Sequence, residues 1–215
     1  MACFVYPWVW WVAQAGGQSA VSIELCEESL KVSRLVLQAL CLLLLIPQMG
    51  AGKGAVVAAG PYALTPRRQA LLNTIRFAEG TWRGGSIEGY RVLYGGAQFA
   101  DLSHHPEITV RRRYTSAAAG AYQFLPTTWR EVSEQLRLKD FSPTSQDQAA
   151  LFLVDRRGAL DDLDARGLDR AVLAKLAREW ASLPAAHGGS HYGQPVKPDA
   201  ELLRFYRSQL ASLMA

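Results

Sequence analysis

The chain has 215 residues, 49% of them hydrophobic and 20% charged, with a formal net charge of +4. That composition belongs to a soluble globular protein of one ordinary domain plus a tail, and it excludes long disorder, a collagen-like sequence or a repeat array. All three cysteines, Cys3, Cys26 and Cys41, precede residue 60, which excludes a disulfide framework or a cysteine-based zinc site from the rest of the chain.

Residues 1–59 read as a leader region. Lys31 and Arg34 precede the apolar run Leu35 to Ile46, interrupted only by Gln38 and ended by Pro47, and small residues follow in "GAGKGAVVAAG". A charged start, an apolar middle and a small-residue end over residues 31–59 describe a secretory signal peptide, with cleavage after Ala51 or Ala59. The run is shorter than the ~20 apolar residues of a membrane span, and an uncleaved anchor is the alternative. The stretch before Lys31 fits neither a leader nor a domain, and the expectation is an over-extended start with the true one near Leu30; a precursor whose N-terminal sequence begins at Met1 contradicts it. Residues 1–59 carry three basic and three acidic side chains, so residues 60–215 keep the +4. A basic exported domain suits an anionic polymer such as a cell wall. The densest basic run, Arg111 to Arg113, reads as a solvated strand face.

Residues 60–215 read as the functional domain. Thr65-Pro66 starts a helix, with threonine as N-cap and proline in the first turn. It runs to about Glu79, where Gly80 stops it. Leu71, Leu72, Ile75 and Ala78 recur at helical spacing, and Glu79, four residues past Ile75, projects from that buried face. Two effects raise the proton affinity of a carboxyl so placed: burial disfavours the anion, and so does the negative end of the helix dipole. A glutamate kept protonated near neutrality is a general acid. The bland alternative is that Glu79 turns outward, or accepts hydrogen bonds from the loop that follows.

Next comes a Gly-rich, strand-like section. "YRVLYGGAQF" predicts two short strands around Gly95-Gly96, and "ITVRRRY" a third after the loop "DLSHHPE". "SAAAGAYQFLP" is a small-residue turn in which Tyr122 and Gln123 admit two readings: a ring and an amide presented to a sugar, or a core residue and a local cap. The remainder is helical: Pro126 to Leu136 with Trp129 and Val132 inward; a helix opened by Ser142-Pro143 and ending near Gly158; one capped by Asp169 with Val172, Leu173, Leu176 and Trp180 apolar. The loop "PAAHGGSHYGQP" then leads to a last amphipathic helix from Pro198 to Leu213. The predicted class is α+β, mostly helical, with a small sheet on one flank.

Other chemistries fit poorly. "GAGKGA" lacks the Ser or Thr that follows the lysine of a phosphate loop. His104-His105 and His187/His191 make no zinc set, so neither a metal nor another cofactor is expected. There is no Gly-x-Ser-x-Gly turn for a serine nucleophile.

From about Leu71 to Tyr206 the sequence resembles the lambda-type phage endolysins, glycoside hydrolase family 104. The resemblance rests on "FAEGT", "EGYRVLYGGAQFADLSHHP", "AGAYQF", "LRLKDFSPTSQDQAAL", "RGAL", "EWASLP" and "YGQ" in that order. It implies a lysozyme-like fold, cleavage of peptidoglycan between N-acetylmuramic acid and N-acetylglucosamine, and Glu79 of "EGT" as the catalytic group. The "AGAYQF" turn is also similar to the Gly-x-x-Gln turn that lines the glycan cleft of cellular lytic transglycosylases, which implies binding roles for Tyr122 and Gln123; Trp82 and Tyr192 complete the expected glycan contacts. Members of the family are lytic transglycosylases, so the resemblance implies that one glutamate serves as acid and then base, giving a 1,6-anhydro end. A hydrolytic muramidase needs a second carboxylate to activate water, for which Glu88, Asp101 and Glu107 are candidates. A non-catalytic peptidoglycan-binding module is the other alternative. The expected partner is the glycan strand, with no nucleic acid, no membrane partner unless the leader is retained, and a monomeric state.

Overall fold

The computed structural model describes residues 60–215; the leader read over residues 31–59, and everything before it, lies outside them. Six α-helices and a two-stranded antiparallel sheet follow in order: α1 (Pro66–Ala78), β1 (Val110–Arg111), β2 (Thr115–Ser116), α2 (Pro126–Leu136), α3 (Pro143–Arg156), α4 (Leu160–Arg166), α5 (Arg170–Leu176) and α6 (Asp199–Met214). A 3-10 turn spans Ile87–Tyr90. The class is the expected α+β.

Three helix starts are the ones the sequence signals. Thr65 Oγ1 accepts from the Arg68 amide at the head of α1, Ser142 Oγ from Ser145 at α3, and Asp169 Oδ1 from Val172 at α5, each satisfying an amide that the helix itself leaves free. α1 packs most extensively on α6. Leu71, Leu72 and Ile75 of α1, Leu173 and Leu176 of α5 and Leu202 of α6 are buried in one continuous core.

α3 is the central helix. Its interior positions Gln146, Asp147 and Gln148 are buried alongside Ala149, Ala150, Leu153 and Val154. Buried amides and carboxylates must be paired, and these are. Gln146 donates to the carbonyls of Tyr90 (3.1 Å) and Phe141 (2.8 Å) and accepts from the Ala121 amide (2.8 Å). Gln148 holds both the amide and the carbonyl of Tyr62.

The strand predictions need correction. "YRVLYGGAQF" makes no pair of strands: a tight turn through Gly95 and Gly96, both at positive φ, leaves one bridge, Val92 to Gln98, and Leu93 instead bridges Ala119. "ITVRRRY" is not one strand but the first half of a hairpin, with Val110 facing Ser116 and Arg111 facing Thr115. Arg111 at its end, Arg112 and Arg113 in the turn and an exposed Ile108 give it no apolar face to extend along. α4 and the 3-10 turn were not anticipated; α4 buries only Leu160 and Leu163, too few to set a readable period.

Candidate active site

The end of α1 places Glu79. Gly80 takes φ +73, its amide donates to Phe77 O at 3.3 Å and the Thr81 amide to Arg76 O at 2.9 Å. These are the two bonds of a Schellman stop, which needs a residue free to adopt the left-handed region. Thr81 is buried, and its hydroxyl donates to Ala121 O at 2.5 Å. The "EGT" segment is therefore tied to the "AGAYQF" turn by its threonine.

Two more bonds complete a triangle. Trp180 Nε1 donates to Tyr122 O at 3.2 Å, linking "EWASLP" to that same turn, and Ser182 Oγ donates to Glu79 Oε1 at 2.6 Å, linking it back to "EGT". Three motif segments, far apart in sequence, meet around one carboxyl.

Burial pushes the Glu79 carboxyl from its ordinary 4.5 up to about 7, with the Ser182 hydroxyl pulling the other way because it stabilises the anion. Glu79 is half-buried and is not capped by the loop that follows it; its hydrogen-bond donor comes from 103 residues away. With Ser182 on Oε1, the proton of the neutral acid belongs on the other oxygen. Replacing Ser182 by Ala removes the one interaction that favours the anion. Carbon-13 NMR of the carboxyl should therefore show the Glu79 midpoint moving above about 7; an unchanged midpoint contradicts the pairing.

A second buried carboxylate sits beneath the turn. Asp147 accepts from Tyr122 OH at 2.5 Å and Tyr90 OH at 2.9 Å. Burial pushes it up to about 6, opposed by those two hydroxyls and by Arg76. Arg76, 1% exposed, donates to Tyr90 OH and Ser86 O and lies over the rings of Tyr90 and Trp82. This network holds the turn from below.

Placement of the other expected residues is mixed. Tyr122 is 1% exposed: it is a core residue, and the expectation that its ring meets a glycan is corrected. Gln123, at φ +49, spends its amide on Val92 O and Gly120 O, so the local-cap reading describes its NH₂ group. Trp82 is partly exposed, edge-on to Phe205 with Arg76 over one face. Tyr192 is 59% exposed, its hydroxyl donating to Arg178 O. Asp101 caps its own loop through the Ser103 amide, and Glu107 pairs with Arg130 at 3.4 Å; Glu88 is exposed. His105 is buried, with Nε2 on Phe124 O and Nδ1 accepting from the Glu107 amide, so both ring nitrogens are engaged.

Ser182, Asp147 and Arg76 escaped the sequence reading. The signal for Ser182 was a lone hydroxyl between apolar residues in "EWASLP"; its partner could not be read from spacing.

The family model described as Endolysin matches residues 69–213. The chain is 40% identical to the endolysin of Escherichia phage lambda over 145 residues, 65% of this chain and 89% of that one. It is 36% identical to the endolysin of Escherichia phage P2 over 153 residues, 65% and 90% of the two. Bacteriophage lambda lysozyme complexed with a chitohexasaccharide superposes with a TM-score of 0.62 at 35% identity, over 69% of this chain and 97% of that one. Another structure of lysozyme from bacteriophage lambda gives 0.56 at 34% identity, over 72% and 96%.

Proposed function

Because this chain belongs to the endolysin family and has a lysozyme-like fold, we propose that it is a peptidoglycan lytic enzyme. In this reading it cuts the β-1,4 bond between N-acetylmuramic acid and N-acetylglucosamine with Glu79. The observation that carries the role of Glu79 is its half-buried carboxyl, held through Oε1 by Ser182 and pushed up to about 7. Such a group is neutral often enough near pH 7 to give a proton and ionised easily enough to take one back. The saccharide bound to the lambda lysozyme supports a glycan as substrate.

The reaction we propose is a transglycosylation. Protonated Glu79 gives its proton to the leaving glycosidic oxygen as the bond to C1 breaks. The C6 hydroxyl of the same muramic acid closes on C1, and its proton passes to the Glu79 carboxylate. One bond to C1 breaks and one forms, the acid is regenerated, and no water is consumed. The single-carboxylate scheme is favoured because Asp101 and Glu107 are both engaged within their own surroundings and Glu88 lies exposed on the surface. Exposed Tyr192 and part-exposed Trp82 are the aromatic contacts that remain for the sugar; for Gln123 the carbonyl oxygen is the group left to offer. The leader over residues 31–59 supports delivery to the wall by export.

Incubation with purified sacculi, followed by mass analysis of the soluble fragments, tests this. Fragments lighter by one water than the hydrolysis products support the transglycosylase; fragments of full mass identify a hydrolytic muramidase, and binding without soluble fragments identifies a non-catalytic module. kcat/KM should fall as pH rises through about 7, where Glu79 loses its proton. A profile flat from about pH 5 to 9 contradicts Glu79 as the acid.

A further inference from the structure

A pocket of about 450 Å³ lies between the end of α3 and α5, lined by Arg156, Arg157, Lys175 and Arg178 over a floor of Ala171 and Ala174. The helical segment supplies Ala171, Ala174, Lys175 and Arg178 from one face, since they recur at helical spacing. The volume suits a small or extended ligand, and four cationic side chains around it mark the ligand as anionic.

Acids nearby pair with three of the four cations and leave Arg178 and part of Arg157 to a ligand. Glu179, whose side chain is 9% exposed, takes both the Nε and Nη2 of Arg157 (2.7 and 2.6 Å) and Nη2 of Arg156 (3.0 Å). Arg156 also reaches Glu131, and Lys175 reaches Asp162 and Gly158 O. A guanidinium carries five N–H donors in a rigid fork, so Arg157 keeps its Nη1 group for another partner. Arg178 is exposed and has no ion pair among the described residues. Its carbonyl receives the Tyr192 hydroxyl, which fixes the backbone that carries it.

A short stretch of chain connects the pocket to the reacting carboxyl. Arg178 is four residues before Ser182, a stretch that spans at most ~14 Å extended and is shortened here by turns at Trp180 and Leu183. Ser182 is hydrogen-bonded to Glu79. A peptidoglycan strand carries short peptides on its muramic acids, and these end in free carboxylates; four extended peptide residues also cover ~14 Å. Such a peptide therefore covers about the span of chain that separates Arg178 from Ser182.

We propose that the pocket formed by Arg156, Arg157, Lys175 and Arg178 binds the carboxylates of the peptide borne by the glycan strand. This rests on the peptidoglycan reading above and adds a substrate requirement to it: the enzyme prefers strands that keep their acidic peptides.

The experiment compares kcat and KM on intact sacculi and on strands stripped of peptide by an amidase, at low salt. Wild type, Arg178→Glu and Arg178→Lys are measured; Arg178 is exposed, so the substitutions leave the core intact. KM on intact sacculi should be lower than on stripped strands. Reversal at Arg178 should raise KM on intact sacculi about fivefold, the size of one exposed charge pair, while kcat holds and stripped strands respond by less than about twofold. Lysine should restore the parent value, and added salt should erase the difference. An equal response on both substrates, or none on either, overturns the pocket assignment while leaving the lytic reading in place. Loss of retention on phosphatidylglycerol vesicles with an unchanged substrate preference also overturns it, in favour of a membrane surface. A wild-type protein that releases nothing from either substrate takes the peptidoglycan reading down together with this one.

Discussion

Glu79→Gln should abolish lysis of sacculi while leaving a folded protein. Glutamine has the same shape, and its Oε1 can still accept from Ser182, but its amide cannot transfer a proton. Positioned acid–base groups contribute typically 10²–10⁴-fold, and here one group is asked to act twice, so the loss in kcat should fall at about 10³ or beyond. Turbidity clearance of sacculi measures it; residual turnover within about tenfold of the parent would show that another group is the acid. The same variant has a signature in stability. The folded-state carboxyl titrates at about 7 against an ordinary 4.5, so between those values the unfolded chain has released a proton that the folded one retains. Stability contributed by Glu79 is thus present below about pH 4.5 and lost as pH rises to about 7. The denaturation midpoint of Glu79→Gln should match the parent at about pH 4 and exceed it at about pH 8. Equal midpoints at both would mean the carboxyl is not buried in the way described.

Gly120→Ala should produce the largest loss of stability among single-methyl changes in the domain. Gly120 opens the turn at φ +83, and a Cβ there would meet Gln146 Oε1 at 2.3 Å and Phe141 Cζ at 2.8 Å. Gln146 is not free to move aside, because that oxygen holds the Ala121 amide and its nitrogen holds two carbonyls. Left-handed backbone costs a non-glycine residue ~1–3 kcal/mol, and an overpacked core a similar amount. The sum is roughly 2–6 kcal/mol, or about 4–24 °C in Tm for a domain of this size. Urea denaturation at unchanged slope reads it directly. A loss under about 1 kcal/mol would mean that the turn relaxes and is not pinned by α3.

How much of this was legible varies from residue to residue. The end of α1 could be read because everything that decides it is local: Thr65 and Pro66 start the helix, Gly80 can take positive φ, and the apolar period fixes the side Glu79 faces. Tyr122 could not be assigned from its place beside Gln123. Neighbours in a turn with residues at positive φ at either end point in unrelated directions, and Tyr122 points down to Asp147. "SQDQ" reads as a wet helical stretch but is the centre of the domain, because Tyr62, Tyr90, Ala121 and Tyr122 bring partners that no local pattern announces. The strands were over-read for the opposite reason: alternating residues suggested pairing, while the two glycines and three arginines between them left each ladder a bridge or two long.

The hydrogen bond from Ser182 to Glu79 spans 103 positions of the chain, and that separation has a consequence for when the protein becomes dangerous to a cell wall. Chains emerge from the ribosome N-terminus first, and contacts between distant residues close late. Until residue 182 has been made and folded back, the triangle that surrounds Glu79 lacks one side. The carboxyl then lacks both its hydrogen-bond donor and the packing that the later segments bring. A chain stalled or clipped before Ser182 also lacks α6, the helix on which α1 packs most extensively, so the surroundings of Glu79 are completed only by the last sixth of the polypeptide.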